Sequence, residues 1–219
     1  MGRAKEIILK VIPSNRANDF VKKHHYSGKV VPNSKLHFGC FLDGKLGGVM
    51  SYGSPFMKTK VLSMVKNTGW NEMLELNRMA FSDILPKYAE SRCIAISIKL
   101  IKKNAPHIKW ILSFADGTQC GDGTIYRASG FILTSIKKNN SIIKLKNGNI
   151  VASMTYTKGK NILKQGGRAG IPKDAEKLNG YMLRYIYLID KKSELNVPII
   201  PFSKIKEMGV GMYKGKMRV

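Results

Sequence analysis

Acidic residues are few for the number of basic ones in this sequence. Only 14 Asp and Glu stand against 38 Lys and Arg in 219 residues, a formal net charge of +24. A compact chain with that excess repels itself unless a polyanion is at hand. Nucleic acid is the partner that such a balance points to. An anionic membrane surface fits less well, because the basic residues are scattered among apolar ones and form no single amphipathic Lys/Arg-rich helix. The acids are also too dispersed to suggest a two-metal phosphodiesterase.

Cysteine is scarcer still. Cys40, Cys93 and Cys120 are odd in number and have no C-x-x-C spacing. This argues against a zinc ribbon and for a reducing compartment. Long apolar runs are missing too. None approaches the length of a membrane span. The opening Met1 to Glu6 leads into a short apolar run interrupted by Lys10, so no signal peptide is visible. The expectation is a soluble, cytoplasmic protein with no membrane partner.

What is present suffices for a folded domain. Hydrophobic residues make up 43% of the chain, too many for a disordered one. The charge is uneven: residues 1–134 carry 20 Lys/Arg against 9 Asp/Glu, and residues 135–219 carry 18 against 5. The shorter C-terminal part is the more basic.

Periodicity gives the elements. Glu6 to Ile12 reads as a strand stopped by Pro13, and Ser14 can cap a helix whose face is Ala17, Phe20, Val21 and His24. Leu36 to Leu42 and Leu46 to Tyr52 read as strands joined by the hairpin signal Asp43-Gly44. Residues 54–71 have no clear period. Met73 to Phe81 is a strand, Glu90 to Asn104 a helix, Lys109 to Ala115 a strand, Gly123 to Ser129 a short helix and Phe131 to Ile136 a strand. Ile142 to Lys146, Asn149 to Tyr156 and Tyr181 to Asp190 read as further strands. Hairpins followed by a β-α-β-α-β unit predict an α/β class with a mixed sheet. We expect a core over residues 1–140. A basic, β-rich, DNA-binding extension over 141–219 would pack on it. Its residues 157–172 hold four basic residues, four glycines and no acid, and read as a mobile basic loop.

Three stretches can carry chemistry. "SFADGTQCGDGTIYRASGF" places Asp116 just past a strand end, where ligands of open α/β sheets sit, and Tyr126 at the start of the next helix. Tyr126 is there either an acid–base group or a core residue with a wet hydroxyl; Asp116 is either a site residue or a turn residue. "ELNRMAFSDILPKYAESR" places Arg78 in a strand and Ser91 and Arg92 at a helix start. Free N–H groups and the dipole there suit an anion, or Ser91 or Glu90 caps the helix and Arg92 is solvated. "HHYSGK" offers His24 and His25, about 100° apart on a helix and so poorly placed to share one metal. His24 fits the buried face, and His25 is freer to act as a base or ligand.

The spaced combination of "HHYSGK", Arg78, "ESR", "SFAD" and "GTIYRASGF" resembles the Mom family of phage DNA-modification proteins over roughly residues 20–135. The resemblance implies a fold like the GNAT acyltransferases. It implies a phage-encoded enzyme of the host cytoplasm that converts adenine in double-stranded DNA to N6-carbamoylmethyladenine and so evades restriction. It implies site roles for His25, Tyr26, Arg78, Ser91, Asp116 and Tyr126. Arg92, Ser91 and Arg78 would hold the donor. Iron is associated with the family, and here would use His25 and Asp116. GNAT enzymes cradle acyl-CoA in a glycine-rich loop, and the corresponding "PKYAESR" has no glycine. That leaves acetyl-CoA and glycyl-tRNA both open as the acyl or glycyl donor, with tRNA a second nucleic-acid partner. Lys158, Lys160, Lys164 and Arg168 would grip DNA phosphates. Two other readings explain the charge: a non-enzymatic basic protein that coats nucleic acid, and a CoA-dependent acetyltransferase acting on another substrate.

Overall fold

The computed structural model describes residues 2–153, 174–210, 212–213 and 216–217. Its elements run β1 (Ile8–Val11), α1 (Ser14–His24), β2 (Ser34–Leu42), β3 (Lys45–Gly53), α2 (Lys58–Leu62), β4 (Met73–Phe81), α3 (Ala89–Asn104), β5 (Trp110–Asp116) and α4 (Thr124–Ala128). They continue as β6 (Ile132–Lys144), β7 (Ile150–Ala152), β8 (Glu176–Leu188), α5 (Ser203–Glu207) and a short β9–β10 ribbon of Met212–Tyr213 and Lys216–Met217.

Eight strands hydrogen-bond in the order β1-β2-β3-β4-β5-β8-β6-β7. β1 to β4 are antiparallel neighbours, and β4 pairs with β5 in parallel. This is the mixed α/β sheet expected. The β2–β3 turn has positive φ at both Asp43 (50°) and Gly44 (73°), the twisted two-residue turn that Asp-Gly favours. α1 starts differently from expectation: its N-cap is Pro13, with no side-chain cap.

Two of the predicted strands are one. The continuous β6, Ile132–Lys144, takes in most of both Phe131 to Ile136 and Ile142 to Lys146. The polar Asn139-Asn140-Ser141 between them looks like a turn, but Asn139 is buried and its Oδ1 accepts from the Ser141 backbone N–H and hydroxyl. β8 enters the sheet between β5 and β6.

The chain forms two compact units that interleave along the sequence. The first is Met1–Phe114, Thr124–Thr134 and Arg184–Ile200; the second is Ala115–Gly123, Ser135–Leu183 and Pro201–Val219. The basic loop 157–172, with Lys158, Lys160, Lys164 and Arg168, lies outside the described residues.

Core side chains of the first unit cluster as follows. Ala17 and Val21 of α1 pack on Ile12, Val49 and Ala80. Val61 and Val65 pack on Met73, Trp110, Leu112 and Ile186. α3 buries Cys93, Ile94, Ser97, Ile98 and Ile101, and the Ser97 and Tyr52 hydroxyls are 2.6 Å apart.

Candidate active site

The site begins with an irregularity in β4. Ser51 pairs with Arg78, but the next β3 residue, Tyr52, pairs with Leu76. Asn77 is therefore an extra residue, a β-bulge. Residues three apart on a regular strand point to opposite faces. The bulge cancels that. Arg78 lies opposite Ser51 and Glu75 opposite Gly53, two residues apart on β3, so Glu75 and Arg78 share a face. Tight packing holds the bulge. A Cβ on Gly53 would run into the Asn33 carbonyl, the Asn33 amide donates to the Ser54 carbonyl, and Ser34 Oγ donates to Asn77 Oδ1 at 2.8 Å. Among the described residues, the buried Asn77 Nδ2 and Asn33 Oδ1 have no hydrogen-bond partner.

Arg78 is anchored by backbone. Its Nε donates to the Lys29 carbonyl at 2.8 Å and its Nη1 to the Asn77 carbonyl at 2.7 Å. Burial lowers its pKa, and the nearby Tyr26, Glu75 and Tyr126 pull it back up. Arginine titrates so high that the guanidinium stays charged.

Glu75 was not singled out from the sequence. Its carboxyl makes no hydrogen bond or ion pair within 4.0 Å among the described residues. Burial pushes its pKa up to about 7, against the downward pull of Arg78. A carboxyl that titrates near neutrality in a protein interior is a candidate acid–base group.

His25 caps α1 and gives its backbone N–H to the Val21 carbonyl at 2.9 Å. Its Nδ1 accepts the Ser27 N–H at 3.1 Å and lies 2.8 Å from the Ser27 hydroxyl. That bond places the neutral ring's proton on Nε2. Burial and then the Arg78 charge push the His25 pKa down to about 4. At neutral pH His25 is thus an uncharged ring with Nε2–H available as a hydrogen-bond donor. Its ring stacks on Tyr26 with centroids 4.2 Å apart, while His24 stacks on Phe20 at 4.3 Å.

Tyr126 is buried on α4, with ring centroids 5.5 Å from Phe131 and 5.3 Å from Tyr185. His25, Tyr26, Glu75 and Tyr126 all lie within electrostatic reach of Arg78. In the same register row, His37 Nδ1 is 2.8 Å from Ser51 Oγ, and the buried His37 Nε2 has no partner among the described residues.

Ser91 and Arg92 lie apart from this cluster in their bonding. Ser91 Oγ donates to the Tyr88 carbonyl at 3.3 Å and Arg92 Nη2 to the Lys5 carbonyl at 2.9 Å. Neither Ser91 nor Glu90 caps α3. The N-cap is Tyr88, left-handed at φ 69°, with no side-chain cap.

Asp116 belongs to the second unit and is 6% exposed. Its carboxylate accepts the Thr118 N–H and the Gln119 amide, both at 3.0 Å, and its carbonyl accepts from the Cys120 N–H at 2.9 Å. These bonds tie the segment after β5 into a turn.

The described residues do not fit an iron centre. No three of His, Cys, Asp and Glu gather as a ligand group among them. His25 Nδ1 and both Asp116 carboxylate oxygens are already engaged. Iron needs several nitrogen and oxygen donors around open positions. No helix among the described residues is long and apolar enough to cross a membrane.

Comparison with known proteins gives one clear relationship. The model of the Mom protein family matches residues 6–204. The methylcarbamoylase mom of Escherichia phage Mu is 32% identical over 201 residues, covering 87% of this chain and 78% of the relative. Among solved structures, the ribosomal-protein-S18-alanine N-acetyltransferase from Escherichia coli is 10% identical with a TM-score of 0.49, covering 86% of this chain and 97% of that one. A GNAT family acetyltransferase from Elizabethkingia anophelis with acetyl-CoA bound is 11% identical with a TM-score of 0.47, covering 84% and 98%.

Proposed function

This chain belongs to the Mom protein family, and from that premise we propose that it is a transferase that converts adenine in double-stranded DNA to N6-carbamoylmethyladenine. The observation that carries the chemistry is the bulge that sets Glu75, near its protonation midpoint, beside the anchored cation Arg78.

The adenine amine is a poor nucleophile because its lone pair is delocalised into the ring. It needs a group to take its proton as it attacks. Glu75 takes that proton. Asp116, whose carboxylate is committed to Thr118 and Gln119, orders the turn rather than accepting the proton. Arg78 steadies negative charge on the donor carbonyl, with Tyr126 as a hydrogen-bond donor to the same oxygen. Neutral His25 presents Nε2–H to the base, and Tyr26 offers a ring face for stacking. The start of α3, which no side chain caps, would with Ser91 and Arg92 receive an anionic part of the donor.

The donor reading we favour is glycyl-tRNA. The added unit is C2H3NO, which has the carbons and the nitrogen of a glycyl group; an acetyl group lacks the nitrogen. The adenine N6 attacks the ester carbonyl, the C–O bond to the tRNA ribose breaks, and the proton held by Glu75 passes to the departing hydroxyl. The glycyl amine then attacks C6 through a five-membered ring. Opening of that ring makes the former N6 the amide nitrogen, leaving a carbamoylmethyl amine on C6. Two polyanionic substrates suit a net charge of +24 better than a small thioester does. Shielding DNA from restriction and contacts by Lys158, Lys160, Lys164 and Arg168 with phosphate complete the proposal.

Purified chain, plasmid DNA and charged glycyl-tRNA, without cell extract, test it by nucleoside mass spectrometry. A deoxyadenosine heavier by C2H3NO supports it. No gain with glycyl-tRNA overturns the donor. Methylcarbamoyl and carbamoylmethyl groups are isomers, so fragmentation assigns the product.

A further inference from the structure

Antiparallel neighbours can be joined by two residues, yet β3 and β4 are joined by the long segment from Ser54 to Glu72. The segment is well anchored. Its Val61 and Val65 enter the core with Met73, Trp110, Leu112 and Ile186. The Lys66 N–H donates to the Glu194 carbonyl at 2.9 Å, the Asn196 N–H to the Met64 carbonyl at 2.8 Å, and Trp110 Nε1 to Thr68 Oγ1 at 3.1 Å.

Its small aliphatic residues point in, and its largest apolar ones point out. Phe56 is 87% exposed, Trp70 55% and Met57 54%. Lone exposed apolar residues are ordinary; three large ones on one short anchored segment mark an interaction surface. The charge names the partner. Residues 54–71 contain Lys58, Lys60 and Lys66 and no acid. Lys66 is paired with Glu194 at 2.8 Å. Lys58 holds its ammonium 4.5 Å above the Trp70 ring, and Lys60 makes no ion pair among the described residues. Lys58 also reaches the Asn71 side-chain carbonyl at 3.5 Å, but neither it nor Lys60 has an acidic partner among the described residues, and aromatic faces beside such cations are what nucleic-acid bases and phosphates fit.

Position narrows it further. The segment leaves β3 at Gly53, the residue paired with Glu75. The segment therefore begins one residue beyond the position opposite Glu75. An adenine must leave the duplex stack to be modified, and that costs a few kcal/mol. Apolar side chains inserted between base steps are one way proteins offset this cost. We propose that Phe56, Met57 and Trp70, with Lys58 and Lys60, form the surface that grips double-stranded DNA and fills the gap left by the extruded adenine. This rests on the adenine reading above. The single-stranded acceptor end of a tRNA has no stack to open, so the duplex is the occupant.

The test uses the full chain with Phe56→Ala, Trp70→Ala and Lys58→Gln/Lys60→Gln. Binding to a short mixed-sequence DNA duplex and to uncharged tRNA is read by fluorescence anisotropy across salt concentrations. Modification is read on intact duplex and on DNA whose adenine lies opposite an abasic site. We expect Phe56→Ala and Trp70→Ala each to bind duplex about tenfold more weakly, in line with losing one stacked base. Their salt dependence and melting temperature should match the parent. The lysine pair should shallow the salt slope by about two phosphates. Modification by Phe56→Ala should fall on intact duplex and recover on the abasic DNA, where extrusion is easy; Glu75→Gln should fail on both. Unchanged duplex binding by Phe56→Ala and Trp70→Ala overturns the proposal. So does weakening confined to tRNA, which assigns the surface to the donor. If the parent binds duplex but modifies nothing, the adenine reading fails, and the binding arm still decides whether this surface holds DNA.

Discussion

Glu75 and Arg78 stand on the same face of β4 because Asn77 between them is a bulge. Without the extra residue the two side chains would point to opposite sides of the sheet. The bulge thus puts a carboxyl near its midpoint beside a fixed cation, and it does so with backbone geometry alone.

The first expectation concerns the carboxyl. Glu75→Gln keeps the size and polarity of the side chain but removes the proton acceptor. Turnover should drop roughly a hundredfold or more, with duplex affinity unchanged. In the parent, kcat should rise with pH through about 7, where Glu75 loses its proton. A flat profile between pH 6 and pH 8 assigns the proton to another group.

Stability should move the opposite way. The folded Glu75 pKa is raised, from 4.5 to about 7. Its contribution is fully present below the unfolded value and is lost as pH rises through the folded one. The loss is at most about 3 kcal/mol. Melting temperatures followed across this window should fall for the parent with rising pH and hold steadier for Glu75→Gln. At pH 8 the variant should be the more stable protein and the less active one.

Arg78 shifts its two neighbours in the same direction. Its charge depresses the pKa of both His25 and Glu75. In Arg78→Gln, His25 should titrate closer to the ordinary imidazole value and Glu75 should move higher still. In the parent, the His25 ring signals should stay neutral until about pH 4 in an NMR titration. For a histidine with a lowered folded pKa, stability is present above the unfolded value of 6.5 and falls as pH drops toward about 4. A His25 midpoint near 6.5 in the folded parent contradicts the burial on which this depends.

Gly53→Ala tests the packing behind the bulge. The new Cβ would meet the Asn33 carbonyl, and backbone gives way less easily than a side-chain tip. We expect a loss of about 1–3 kcal/mol and a disproportionate loss of activity, since Gly53 pairs with Glu75. Thermal unfolding together with kcat measures both. An unchanged melting temperature means the β2–β3 edge is more pliable than this contact implies.

Much of the fold was legible in the sequence, and so was part of the site. Met73 to Phe81 has the same bounds as predicted, α3 differs by one residue at its start, and Asp43-Gly44 forms the turn its chemistry demands. These features are local: period, turn residues and a proline stop decide them. Arg78, His25, Tyr26 and Tyr126 do gather electrostatically. Glu75 was hidden because strand alternation sets it on the wrong side of Arg78, and a bulge leaves no mark in the residue types. β8's place between β5 and β6 is a long-range pairing with no local signal. Phe56 and Trp70 sat in a stretch without a period, and only their exposure in the folded chain gives them meaning.

The most direct test is nucleoside mass spectrometry of DNA from cells expressing this chain, beside Glu75→Gln at equal protein level. The account predicts a deoxyadenosine heavier by C2H3NO, fragmenting as the carbamoylmethyl amine, in the parent and not in the variant. Unmodified DNA from the parent, with the purified protein still binding duplex, would contradict it and leave a protein that coats DNA. An equal mass gain in Glu75→Gln would keep the modification and remove Glu75 from its centre.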